Sequence, residues 1–350
     1  MKIIVDDKIP FIREAIKQIT DEVVYLPGSA IGPDDIKDAD AMIIRTRTRC
    51  DRHLLEHSRV QFIATATIGY DHIDTAYLKE KGIAWANCPG CNANSVAQYI
   101  YSCLLLLEKE KHYDLHHTSI GLIGVGHVGT AVQRAITPLG VRILLYDPPR
   151  EEAESGLLPA QREHFATIEQ IQSECDIISF HTPLITEGAH PTLHFGNRTF
   201  LHNLSRCPII INTSRGAVVD NTALLEALDN GCIKDAIVDT WENEPHINTE
   251  LLKKVYIGTP HIAGYSADGK ANATRMALEA LCHFFKQPAT FSITPPELPE
   301  NLKLSNNAKE KALQLYNPKN DSFKLKNAPE CFEQLRGNYP LRREFYEKKL

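Results

Sequence analysis

Three charged side chains stand just beyond apolar runs: Arg215 in Ile-Asn-Thr-Ser-Arg-Gly, Glu244 in Asp-Thr-Trp-Glu-Asn-Glu-Pro, and His261 in Thr-Pro-His-Ile-Ala-Gly. Their types suit one reaction, the loss of a hydride and a proton from a 2-hydroxy acid. A planar guanidinium grips a carboxylate through two parallel hydrogen bonds, which assigns Arg215 to the substrate carboxylate and to polarising the forming 2-oxo group. His261 would take the hydroxyl proton, while Glu244 would orient the imidazole and favour its charged form. Each alone has a plainer reading: a solvated loop arginine, a turn carboxylate before Pro245, a structural histidine. Their order downstream of a dinucleotide turn is what joins them.

That turn is Gly124-Val125-Gly126-His127-Val128-Gly129, between the apolar run 120–123 and a helical stretch over 128–136. Gly124 permits the tight bend, Gly126 lets a pyrophosphate approach the backbone, and Gly129 lets helix and sheet pack closely. The helix N-terminus at His127 and Val128 then offers free N–H groups to negative charge. Asp147 ends the next strand-like run, where a carboxylate accepts from both ribose hydroxyls. A 2′-phosphate would meet like charge there, so NAD is preferred over NADP, with Arg150 close enough to soften that preference. Thr182, in His181-Thr182-Pro183, and Asp239, each ending a strand, are expected to reach the nicotinamide half.

The elements that must position these groups are short β-rich runs alternating with helical stretches, the pattern of an α/β protein with parallel sheets. Runs at 2–5, 41–44, 62–65 and 83–86 form a first series; those at 119–123, 141–146, 177–180, 209–212, 235–239 and 255–258 form a second. Helical patterns fill 94–111, 128–136, 167–174, 221–229 and 268–285. The expected fold is two Rossmann-like, doubly wound parallel-sheet domains plus a small C-terminal region. Pro288, Pro295, Pro296 and Pro299 mark a linker before a polar tail, in which Phe323, Cys331, Phe332, Leu335, Tyr339, Leu341 and Phe345 are apolar anchors for a small ordered element or a subunit contact.

Composition removes several classes. A net charge of −6 without long like-charge runs gives no field for nucleic acid, and the longest apolar stretch, 104–107, cannot span a bilayer. Asp6 and Asp7 interrupt the N-terminus where a signal peptide would be apolar, so a cytoplasmic location is expected. Nine cysteines scattered through strands and helices read as reduced thiols. Cys88-Pro89-Gly90-Cys91 lacks the second pair a zinc site needs, so no metal is expected and both are read as ordinary loop cysteines.

Over roughly residues 1–290 the chain resembles the D-isomer-specific 2-hydroxy acid dehydrogenases, on the glycine turn, Ile-Asn-Thr-Ser-Arg-Gly-Ala-Val-Val-Asp, Asp-Thr-Trp-Glu-Asn-Glu-Pro and Thr-Pro-His-Ile-Ala-Gly. Within the family it looks most like a branch that oxidises a 4-phosphorylated hydroxy acid in vitamin B6 synthesis. The carrying stretches include Ala64-Thr65-Ala66-Thr67-Ile68-Gly69-Tyr70-Asp71-His72, Pro89-Gly90-Cys91-Asn92-Ala93 and Phe332-Glu333-Gln334-Leu335-Arg336-Gly337-Asn338-Tyr339.

The resemblance implies a substrate-binding domain from 1–93 and 266–290, an NAD-binding domain at 94–265, and a homodimer formed through 291–350. It places Arg215, Glu244 and His261 at the chemistry, Asp147, Thr182, Asp239 and Gly264 on NAD, and Thr46, Thr67 and Tyr265 on the substrate. Thr46 stands where the branch has serine, keeping the hydroxyl; His127 fills a polar position in the glycine turn, and the tail is shorter than usual. A 4-phosphate also needs cations. Arg45, Arg47 and Arg49 alternate after a strand, which would put all three on one side of an extended segment, Arg45 foremost. Arg342 and Arg343 are candidates to reach a partner subunit's site. Two alternatives share this scaffold: a sibling dehydrogenase acting on 3-phosphoglycerate or hydroxypyruvate, and an NAD-sensing binding protein.

Overall fold

The structure is a computed structural model that describes residues 1–157, 163–298 and 303–344. Two compact units account for the chain: Met1–Asn92 with Ser266–Asn301, and Ala93–Tyr265 with Leu302–Leu350. The first holds a parallel five-stranded sheet of β1 (Ile3–Asp6), β2 (Val23–Leu26), β3 (Ala41–Ile44), β4 (Phe62–Thr65) and β5 (Ala84–Ala86), in the order β2-β1-β3-β4-β5. Alternate residues of each strand feed two separate cores, as a pleat requires. Ile3, Val5, Ala41, Ile43, Phe62 and Ala64 point into one; Ile4, Met42, Ile44 and Ile63 into the other.

The second unit holds a parallel six-stranded sheet: β6 (Ser119–Ile123), β7 (Arg142–Tyr146), β8 (Ile177–Phe180), β9 (Ile209–Asn212), β10 (Asp235–Val238) and β11 (Ile257–Gly258). Their order is β11-β10-β9-β8-β6-β7. Again both faces are buried, Ile120, Leu122, Ile177 and Ile209 on one side and Ile123, Ile178, Phe180 and Ile210 on the other. That explains strands that read as continuous apolar runs. The chain reverses its direction across the sheet between β6 and β8, and a crevice at such a switch point is where open α/β sheets bind ligands. Both Rossmann-like domains of the expected fold class are present.

Residues 303–344 join the second unit. Helices Ala308–Leu315, Pro318–Asn327 and Phe332–Gly337 bury Tyr316 in one of its cores and Leu325 and Phe332 in the other. Phe323 is 70% exposed, on the outer face of its helix, so of the two expected uses it does not anchor this element's own core. Phe345 and Pro299 lie outside the described residues. β2 was not expected from the sequence; it is a half-exposed edge strand. Among the described residues no helix is long and apolar enough to cross a membrane.

Candidate active site

His261 follows β11 in a left-handed backbone conformation, φ 57°. Its own N–H donates to the carbonyls of Asp239 (2.8 Å) and Thr259 (3.0 Å). Its Nδ1 meets both Glu244 oxygens, at 2.8 and 3.1 Å. An ionised carboxylate only accepts, so Nδ1 carries the hydrogen and Nε2 remains as the proton acceptor. Glu244 also accepts from the Trp241 N–H at 2.9 Å. Burial alone would push the Glu244 carboxyl up. The hydrogen bond and charge of His261, the Trp241 N–H and the Arg336 cation outweigh it and hold the group below its ordinary value.

Asp239 lies behind this pair, 1% exposed. Its Oδ1 accepts from the Thr259 hydroxyl and the Ile262 N–H, and its Oδ2 from the Ala263 N–H, at 2.6, 2.8 and 2.9 Å. Tyr99 extends the chain through Thr259 at 2.8 Å. Burial pushes the Asp239 carboxyl up against the pull of His261 and these donors. In this arrangement Asp239 braces the loop that carries His261, Gly264 and Tyr265.

Arg215 follows β9. The Asn212 side chain shapes its loop, donating to the Arg215 carbonyl at 3.0 Å and accepting from the Ser214 N–H and hydroxyl. A Cβ at Gly216 would lie 1.9 Å from the Trp241 carbonyl oxygen. Only glycine therefore lets the Arg215 loop approach the loop bearing Glu244. The guanidinium donates to the Ser214 carbonyl at 2.9 Å, and among the described residues no carboxylate pairs with it. A half-buried cation so placed suits an anionic ligand.

The glycine turn and β8 meet at the switch point. Gly124 has φ +89°, and a Cβ there would lie 2.8 Å from Thr182 Cγ2. A Cβ at Gly129 would lie 2.1 Å from the Gly124 carbonyl oxygen, whereas at Gly126 it would meet nothing within 4 Å. His127 and Val128 open the helix His127–Ile136 behind this space. Asp147 accepts from the Val125 N–H at 2.7 Å and the Arg150 N–H at 3.1 Å. Arg150 itself is held by Glu154 at 2.7 Å and the Val125 carbonyl at 2.8 Å, which ties up its charge. His181 is buried beside Ser179 at 3.0 Å, and burial pushes its imidazole down to about 3. It stays neutral.

In the first unit, Thr67 bonds the Thr65 hydroxyl at 2.6 Å and donates to the Gly69 carbonyl at 2.8 Å, while His72 sits 3.0 Å from the same Thr65 hydroxyl. Thr46 is exposed. The three arginines do not line one side of a strand. The Thr48 N–H donates to the Arg45 carbonyl and its hydroxyl to the Gly28 carbonyl, so the chain turns there. Arg45 forks onto the fully buried Asp6 with two 3.0 Å bonds, and Arg49 pairs with Asp51 at 3.0 Å. Cys88 is buried, its thiol donating to the Thr65 and Ala273 carbonyls, and burial pushes it up.

Of two arginines of the tail, Arg336 escaped the sequence reading of the site and Arg342 was assigned elsewhere. Arg336 donates to the Tyr265 hydroxyl at 3.3 Å and lies 3.7 Å from Glu244 Oε2. Arg342, read as reaching toward a partner, is 8% exposed within its own unit. It donates to the carbonyls of Ile262, Ala263, Tyr265 and Ser95 and stacks 3.9 Å from the Tyr316 ring. Buried cations are tolerated when every donor is used, and this one fastens the loop after His261.

Residues 105–263 match the family described as D-isomer specific 2-hydroxyacid dehydrogenase, NAD binding domain. Over 345 residues, 98% of this chain and 97% of the relative, the sequence is 56% identical to the erythronate-4-phosphate dehydrogenase of Bacteroides fragilis. The chain belongs to the erythronate-4-phosphate dehydrogenase branch of the D-isomer specific 2-hydroxyacid dehydrogenase family. The Porphyromonas gingivalis relative of the same name is 39% identical over 352 residues, 98% of this chain and 94% of that one. The NAD-bound 3-phosphoglycerate dehydrogenase of Entamoeba histolytica superposes with a TM-score of 0.67 at 25% identity, covering 84% of this chain and 98% of that one.

NAD is the cofactor of this dehydrogenase family, and the residues present fit it. Space stands open above Gly126, and Thr182 Oγ1, beside Gly124, is buried without a hydrogen-bond partner. Asp147 follows β7 beside this turn, its carboxylate bonded to the Val125 N–H. Among the described residues no His, Cys, Asp and Glu group could hold a metal ion.

Proposed function

We propose that this chain oxidises 4-phospho-D-erythronate to 3-hydroxy-2-oxo-4-phosphooxybutanoate with NAD, in pyridoxal 5′-phosphate (vitamin B6) biosynthesis. The reaction rests on the Glu244–His261 pair, its Nδ1 saturated and its Nε2 open, on the same sheet end as Arg215, with which no carboxylate of the described residues pairs. The substrate rests on 56% identity to a relative of that name over nearly the whole chain. NAD, when bound, supplies the hydride acceptor. His261 Nε2 takes the hydroxyl proton as the C2–H hydride departs and the 2-oxo bond forms. Glu244 faces the resulting imidazolium, so charge is neutralised where it develops. Arg215 holds the carboxylate.

In this reading Gly124, Gly126, Gly129, His127, Val128, Asp147, Thr182, Asp239 and Gly264 serve NAD, and Arg45, Thr46, Thr67 and Tyr265 serve the substrate. Asp6 occupies Nε and Nη2 of Arg45, leaving Nη1 for the 4-phosphate. Deleting Arg45 would strand a buried carboxylate. Arg45→Lys is the cleaner probe: it keeps the charge and loses the fork. It should raise KM for 4-phosphoerythronate by about tenfold or more and leave KM for D-erythronate in place, given a charged hydrogen bond worth roughly 1.5–3 kcal/mol. Equal changes for both acids would remove the phosphate role.

Nine free cysteines, six of them buried, suit a reducing cytoplasm. Two copies are proposed to meet through the tail, where Phe323 is exposed. Sedimentation equilibrium should give twice the chain mass, and Phe323→Asp should shift it toward one.

The deciding experiment follows NADH fluorescence with 4-phosphoerythronate, 3-phosphoglycerate and D-lactate, with and without a 2-oxo acid acceptor. Reduction by 4-phosphoerythronate alone establishes the substrate. Activity only with another acid keeps the chemistry and moves the substrate. No reduction with any, despite NAD binding, leaves the sensing reading.

A further inference from the structure

We propose that Arg336, contributed by the C-terminal tail, sets the proton affinity of the Glu244–His261 pair and with it the pH range in which the enzyme turns over. Glu244 Oε2 is the oxygen that matters. His261 Nδ1 approaches it at 2.8 Å, and Arg336 Nη1 approaches the same atom at 3.7 Å. Two cations bearing on one carboxylate oxygen each weaken its hold on the other. The side chains of Arg336 and Glu244 are only 22% and 17% exposed, so solvent and salt screen this field less than a surface pair's. The Tyr265 hydroxyl fixes Nε of the guanidinium at 3.3 Å, which prevents it from swinging away.

The other charges around the pair have other duties. Asp239 lies behind His261 but is bound by Thr259, Ile262 and Ala263. Glu242, on the Glu244 loop, is taken by His194 at 2.7 Å and by the Asn221 N–H. Arg215 stands on the β9 loop, and Arg342 spends its donors on carbonyls beneath residues 262–265. Glu333, one turn before Arg336 and 3.8 Å from it, partly offsets its charge. Arg336 is thus a positioning residue that acts through Glu244.

Its effect has a definite sign. By competing for Oε2, Arg336 makes the pair release its proton more easily, so His261 is ready to accept the hydroxyl proton at lower pH.

The inference rests on the dehydrogenase reading only for its kinetic readout; the NMR readout needs no turnover. Arg336→Gln should move the acidic limb of kcat/KM to higher pH by roughly half to one unit. The His261 imidazole resonance, assigned by its loss in His261→Asn, should shift its titration midpoint by the same amount. Arg336→Lys should restore both toward the native positions. A loss of rate at every pH, with both midpoints unmoved in Arg336→Gln, would overturn the proposal. Should Arg336→Gln fail to fold, Glu333→Gln takes its place: freeing Arg336 from its neighbour should lower both midpoints, and unmoved midpoints would overturn it equally. If no hydroxy acid is oxidised by the native protein, the functional reading fails while the NMR midpoints still decide on Arg336.

Discussion

His261→Asn should lower kcat by about 10² to 10⁴, the usual worth of a positioned general base, while NAD binds as before. Asparagine is the right replacement because residue 261 sits at φ 57°, a left-handed conformation that asparagine tolerates far better than alanine does. Alanine would add backbone strain to the chemical loss and blur the result. The variant keeps the backbone bonds to the Asp239 and Thr259 carbonyls, so the cofactor half stays built. Turnover and NAD fluorescence titration together check it. An unchanged kcat would take the base away from His261. Because Glu244 is held below its ordinary carboxyl range, it remains ionised as pH falls. The acidic limb therefore reports the proton on the pair rather than the loss of the Glu244 charge.

A second contrast separates two glycines of one turn. Gly129→Ala should cost about 3 kcal/mol and lower Tm by roughly 6–12 °C for a domain of this size. A Cβ there lies 2.1 Å from the Gly124 carbonyl oxygen, and neither the helix nor the strand can give way cheaply. Gly126→Ala should cost below about 1 kcal/mol, the scale of a weakened helix N-cap, because a Cβ there meets nothing. It should instead weaken NAD binding by an order of magnitude or more, by filling the space the pyrophosphate needs. Thermal melts and NAD titrations of both variants give the crossed pattern; equal losses of NAD affinity at unchanged Tm would refute it.

Most strands of both sheets were legible because they are buried on both faces, so Ile177–Phe180 and Ile209–Asn212 are apolar but for Ser179 and Asn212. Val23–Leu26 was not legible, since an edge strand with half-exposed residues has no such constraint. Arg215, Glu244 and His261 stood out in the sequence because the proposed chemistry asks for one cation, one acceptor and one orienter, and the structure pairs the last two. The arginines at 45, 47 and 49 misled because period-two spacing carries meaning only in an extended chain, and the bond from Thr48 to Arg45 makes a turn. Arg336 was hidden, and Arg342 was assigned to a partner's site, for a different reason. A charged residue in a polar tail reads as solvated, and nothing local reveals that its partners are carbonyls and a carboxylate far away in sequence.

The first unit borrows its covering helix from beyond the second. Helix Ala267–Phe284 lays Leu278 and Leu281 into the core under β1, β3 and β4, and Phe284 stacks on Phe62 at 5.0 Å. On a ribosome, the early strands must therefore wait, one face covered only in part by Ile12, Ala15 and Ile16, until all of residues 93–265 have been made. Arg342 imposes a similar delay on the other unit, whose His261 loop is braced by Asp239 and fastened again by a residue 80 positions beyond Ile262. A product stalled before residue 267 therefore leaves apolar sheet to chaperones and proteases rather than yielding one good domain.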